Sequence, residues 1–77
     1  MLETTVVVAT LGTVRVRVAA WQQDALRDAA ELYLDGGFTY DEVIDARLSG
    51  GIGFSPGTLT SLLQQEIGTL RLERQRR

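Results

Sequence analysis

Residues 14–18 read Val14-Arg15-Val16-Arg17-Val18, a strict alternation of branched apolar and cationic side chains. A period of two belongs to a β-strand, whose successive side chains point to opposite faces. The three valines therefore share a face that a core can bury, and Arg15 and Arg17 share the other. This predicts a half-buried strand with a cationic outer surface.

Working outward, residues 4–10 (Thr-Thr-Val-Val-Val-Ala-Thr) are β-branched at all but one position and predict a preceding strand. Leu11-Gly12 is a turn signal, because Gly12 can take the positive φ that a tight hairpin requires. After the alternating strand the period becomes helical. Across residues 21–34, Trp21, Ala25, Leu26, Ala29, Ala30, Leu32 and Tyr33 form a broad apolar stripe. Gln22, Gln23, Asp24, Arg27, Asp28 and Glu31 fill the opposite side, and Asp35-Gly36-Gly37 ends the helix. Thr39-Tyr40-Asp41-Glu42 fits a capping box, so a second helix is expected from Tyr40 to about Leu48, burying Tyr40, Val43, Ile44 and Leu48. Ser49-Gly50-Gly51-Ile52-Gly53 breaks it, and Ser55-Pro56 restarts helix with Ser as N-cap and Pro at N1. Leu59, Leu62, Leu63, Ile67 and Leu70 then step at helical spacing. Leu70 and Leu72 cannot share one helical face, so this helix is expected to fray near Leu70.

The order is β-β-α-α-α: an α+β fold with an N-terminal hairpin and three short helices. Seventy-seven residues support one small domain, assigned to residues 1–70, with residues 71–77 as a tail. A chain this short has a thin core. Val6, Val8, Val14, Val16 and Val18 exceed what one helical layer covers, so the fold is expected to be completed by oligomerisation, with these valines and the Leu59/Leu63 face of the third helix as the interface.

The composition, 44% hydrophobic and 23% charged, is that of a folded protein. All eight cations are Arg. Residues 1–70 hold four Arg against nine Asp and Glu, a balance of −5, whereas residues 71–77 hold four Arg against one Glu, a balance of +3. An acidic body thus carries a basic tail, read either as a solvated end or as an arm for an anionic partner. The N-terminus has no basic region before its short apolar stretch, and the longest uncharged run, residues 48–65, contains four Gly and a Pro. The expectation is a cytoplasmic protein without a membrane partner.

The absence of both Cys and His removes thiolate and imidazole nucleophiles and nearly every zinc geometry. The i,i+4 pairs Asp24/Asp28 and Asp41/Asp45 could hold a hard cation, but they read better as solvated helix faces. Gly50-Gly51-Ile52-Gly53 precedes a helix but lacks the Lys of a P-loop and has Pro56 where a dinucleotide fingerprint needs Gly. Trp21, Phe38, Tyr40 and Phe54 are spaced as core or staple residues and not as a base-stacking platform. No enzyme, cofactor or metal is expected.

Residues 14–48, an alternating strand followed by two helices, resemble the ribbon-helix-helix family of DNA-binding proteins. Asp41-Glu42-Val43-Ile44-Asp45-Ala46-Arg47-Leu48 is similar to the opening of that family's second helix. The resemblance implies that two chains pair residues 14–18 antiparallel and present Arg15 and Arg17 to the major groove, where Arg can bind guanine bidentately. The chain departs from the family in its extra strand, its glycine-rich loop at residues 35–37 and its third helix. Residues 39–63 resemble a helix-turn-helix unit, but the connection is longer than the usual turn and residues 56–67 contain no Arg with which to grip phosphate. The ribbon reading therefore ranks first.

The function expected is a small dimeric DNA-binding regulator, a transcription regulator or antitoxin-like protein, with Arg15, Arg17, Arg71, Arg74, Arg76 and Arg77 on the DNA. The alternative is a non-enzymatic assembly or adaptor protein, such as a phage-type structural subunit, that binds another protein through the Val-rich strand edge and the leucine-faced helix. The two divide on one feature. DNA reading needs Arg15 and Arg17 exposed and close to their symmetry mates; an intrachain carboxylate on either one favours the assembly reading.

Overall fold

The computed structural model describes residues 6–76, with side chains from Val8 onward. Strands β1 (Val6–Leu11) and β2 (Val14–Ala19) form an antiparallel hairpin, followed by helices α1 (Ala20–Gly36), α2 (Tyr40–Arg47) and α3 (Pro56–Gln75). This is the expected β-β-α-α-α order of an α+β fold.

Leu11 pairs with Val14, leaving Gly12-Thr13 as a two-residue turn, and Gly12 takes the positive φ of 63° that the turn demands. The register sets Ala9 against Val16 and Leu11 against Val14, with Val8 opposite Arg17 and Thr10 opposite Arg15. Alternation then sorts the two faces. Ala9, Leu11, Val16 and Val18 turn toward the helices, and Val8, Thr10, Arg15 and Arg17 turn away.

The starts of α2 and α3 follow the local rules read from sequence. Thr39 Oγ1 accepts from the Glu42 N–H at 3.3 Å while Glu42 Oε1 accepts from the Thr39 N–H at 2.9 Å, a complete capping box. Ser55 Oγ accepts from the Thr58 N–H, with Pro56 at the first helical position. Helix α1 stops at Gly37, which adopts the left-handed conformation at φ 71°.

Side-chain links from Gln23 to Glu66, Arg27 to Glu73 and Asp35 to Arg74 advance together along both helices, so α1 and α3 run in the same direction. The core lies between them and the inner face of the hairpin. It is built from Val18, Leu26, Ala29, Ala30, Val43, Leu48, Leu59, Leu62, Leu63, Ile67 and Leu70. Each fully buried branched side chain contributes about 1.5–3 kcal/mol, which for a small domain makes every one of these positions consequential.

Three expectations are corrected. Helix α3 does not fray at Leu70 but continues to Gln75, because Leu70 is buried at 2% exposure while Leu72, at 63%, simply faces outward. Trp21 does not join the apolar stripe; it is 59% exposed in the first turn of α1. Val18, Leu59 and Leu63 are not on an interface but inside the chain's own core, where the packed helices leave them at most 3% exposed.

Candidate nucleic-acid interface

The cations sort by their partners. Arg27 donates to Glu73 at 2.9 Å, and its pKa is raised chiefly by that hydrogen bond. Arg47 pairs with Asp28 at 3.2 Å, tying α2 to α1. Arg74 donates both Nη atoms to Asp35, at 2.8 and 3.0 Å, and the bond holds the Asp35 carboxyl below its ordinary pKa. These three arginines neutralise the protein's own acidic surface.

Arg15 and Arg17 do not. Both are exposed on the outer face of β2, and neither has an ion pair or side-chain hydrogen bond among the described residues. The backbone beneath them is equally open. In an antiparallel ladder, directly opposed residues alternate between pairs that bond each other and pairs whose N–H and C=O groups point away. The Leu11–Val14 pair closes the turn, so the outward groups belong to Val8 and Thr10 on one edge and to Arg15 and Arg17 on the other. The β1 edge is occupied at Thr10, whose carbonyl accepts from Gln65 Nε2 of α3 at 2.6 Å. The β2 edge ends at Ala19, whose N–H is taken by Gln22 Oε1 at 2.8 Å. Between those limits the outward groups of Arg15 and Arg17 have no partner among the described residues. The extra strand thus covers one side of β2 and leaves the other uncovered.

The tail arginines are placed elsewhere. Arg71 lies beside Tyr33, Leu34 and Tyr40 at the far end of α1, and Arg74 is bound to Asp35 one turn further on. The hairpin leads into the opposite end of the same helix, which spans about 25 Å at 1.5 Å per residue. Arg76 is exposed at the end of α3, and Arg77 lies outside the described residues. Within one chain the expected set therefore separates into a hairpin group, Arg15 and Arg17, and a distant α3 group, of which Arg74 is already paired. Of the valines expected at an interface, Val8 and Val14 are exposed at 55% and 59%, Val16 is half-buried, and the side chain of Val6 lies outside the described residues.

Sequence reasoning missed the polar groups that fix this site. Gln22 receives the Ala19 N–H and donates Nε2 to the Ile52 carbonyl at 2.8 Å, joining the end of β2 to the loop before α3. Gln22 stands three residues after Ala19, the spacing of the Glu in a capping box, and that was the available signal. The loop itself, Ser49–Gly53, runs through positive φ at Gly50, Gly51, Ile52 and Gly53. Glu66, 8% exposed, is held by Gln23 Nε2 at 2.6 Å.

A cavity of about 410 Å³ between α2, the loop and α3 is lined by Asp41, Asp45, Ile44, Leu48, Ser49 and Thr60, among others. Among the described residues no group of acidic side chains could hold a metal ion, and no helix is long and apolar enough to cross a membrane. No protein-family model matches the chain, and no curated protein or solved structure shows significant similarity to it.

Proposed function

We propose that this protein is a small DNA-binding regulator that grips the duplex through the outer face of its hairpin, two copies meeting along β2. One observation carries the reading: among the described residues Arg15 and Arg17 are exposed and without an ion pair on a strand with an uncovered edge, while Arg27, Arg47 and Arg74 are spent on intrachain carboxylates. A chain with a formal charge of −2 gains little from nonspecific attraction, so affinity must come from a local concentration of cations. Two copies joined at β2 put four guanidinium groups on one surface, away from the acidic helices. Arginine suits that task, since its planar fork binds phosphate or the guanine edge with two parallel hydrogen bonds.

Fluorescence anisotropy of a labelled mixed-sequence duplex tests this at low and physiological salt. The wild-type chain binds, and R15A/R17A does not. Retained affinity in that variant moves the contact to Arg71 and Arg76 on α3; no binding by either chain ends the reading.

The assembly role is favoured by a different observation, the exposure of Val8, Val14 and Trp21 on or next to the hairpin. Under that reading the wild-type chain binds no duplex, and Val14→Asp abolishes a protein complex that R15A/R17A leaves intact.

A further inference from the structure

We infer that the second copy joins at β2 only when a polyanion joins with it, so that dimerisation and duplex binding are a single linked event. The inference rests on the DNA-binding reading and concerns how that same face is completed.

Strand parity forces the conclusion. The outward backbone groups of β2 belong to Arg15 and Arg17, so any antiparallel partner must bond to those two residues. A second β2 offers the same two. A register centred on Val16 opposes Arg15 to Arg17 of the partner subunit and bonds every outward N–H and C=O, four hydrogen bonds in all. A register centred on Arg17 would need the Ala19 N–H, which Gln22 already holds at 2.8 Å. A register centred on Arg15 would reach into the Gly12-Thr13 turn. The Val16-centred arrangement is therefore the one the edge accepts. It also brings the partner's strand over exposed Val14.

The same arrangement places arginine directly across from arginine twice, with Cα atoms about 5.5 Å apart and side chains on one face. Like charges in that position oppose pairing. Among the described residues no carboxylate relieves them: the side chains beside them on the outer face are those of Val8, Thr10 and Ala19. The buried core meanwhile lies within one chain, so Val14 is the main apolar surface left for this pairing to cover. A row of phosphates laid against the four guanidinium groups reverses the sign of the interaction. Duplex DNA supplies such a row, and its phosphates are the chemistry the face recognises.

Salt then acts in opposite directions on the two equilibria. Screening weakens repulsion between arginines, so added salt promotes association of the free chains. It weakens the duplex complex, by about 0.9 in the log–log slope for each phosphate contact.

The test is sedimentation of the full chain at tens of micromolar, with and without a short duplex, beside Arg15→Thr/Arg17→Thr. Threonine keeps strand propensity and removes both charges. The wild-type chain sediments as a monomer alone and as two chains per duplex. The threonine variant fails to bind duplex yet self-associates alone, its monomer–dimer midpoint at least tenfold lower in concentration than that of the wild type. Arg15→Thr/Arg17→Pro returns to monomer, because proline deletes an outward N–H that the hairpin itself does not use; matching far-ultraviolet spectra confirm that both variants fold. One chain per duplex at retained affinity overturns the inference and leaves the DNA reading in place, as does a wild-type dimer that duplex does not strengthen. Loss of duplex binding altogether removes the DNA reading, and a threonine variant that stays monomeric removes the β2 pairing.

Discussion

Gln22 sits on the polar side of α1 and yet decides where the hairpin stands. Its side chain takes the Ala19 N–H and gives Nε2 to the Ile52 carbonyl, both at 2.8 Å, so it fixes the end of β2 against the loop that precedes α3. Gln22→Ala loses two partly buried hydrogen bonds worth about 0.5–1.5 kcal/mol each, and should lower the free energy of unfolding in urea by about 1–3 kcal/mol without changing the m-value. Asp35 makes a contribution that depends on pH. Its pKa is lowered by the Arg74 hydrogen bond, so the bond stabilises the fold above the ordinary carboxylate range and loses that effect as pH falls through the lowered value. Thermal melts should accordingly separate wild type from Asp35→Asn at neutral pH and bring them together at strongly acid pH. A gap that persists in acid would assign Asp35 a role other than the ion pair.

At the scale of elements, what was legible in the sequence was local. The alternation in β2, Gly12 in the turn, Thr39 and Ser55 as caps and Gly37 at the end of α1 each obey a rule confined to a few residues, and each element begins or ends accordingly. The exposure of Arg15 and Arg17 followed from the same alternation. What was not legible depended on distant partners. The last turns of α3 continue past Leu70 alongside Asp35 and Arg27, residues far upstream that bond Arg74 and Glu73. Val18, Leu59 and Leu63 looked like interface residues only because a period says which face is apolar and not what covers it. Truncation after Leu70 should therefore lower the melting temperature measurably, since it removes two interhelical ion pairs. An unchanged midpoint would mean that those last turns carry no structural load.

For the whole molecule the balance is small. At about 0.05–0.15 kcal/mol per residue, a chain of 77 residues has about 4–12 kcal/mol of stability. Leu63, fully buried between the helices, should cost about 2–5 kcal/mol when replaced by Ala, a large share of that total. Because its contacts are all within one chain, the loss should not vary with protein concentration; a strong concentration dependence would return Leu63 to an interface. R15A/R17A should by contrast move stability by no more than about 0.5 kcal/mol, as surface changes usually do. Loss of binding in that variant thus reports on the face and not on the fold. The charge layout of the described residues has three arginines holding the helices together, two without an ion pair on the hairpin and two, Arg71 and Arg76, without one at the far end of α3. Anisotropy titration of one labelled duplex with wild type and R15A/R17A, each at low and physiological salt, tests it most directly. The expected result is wild-type binding whose salt slope reflects up to four phosphate contacts, about 3.6 in log–log terms, with none by the variant. Equal affinities for the two proteins would contradict it.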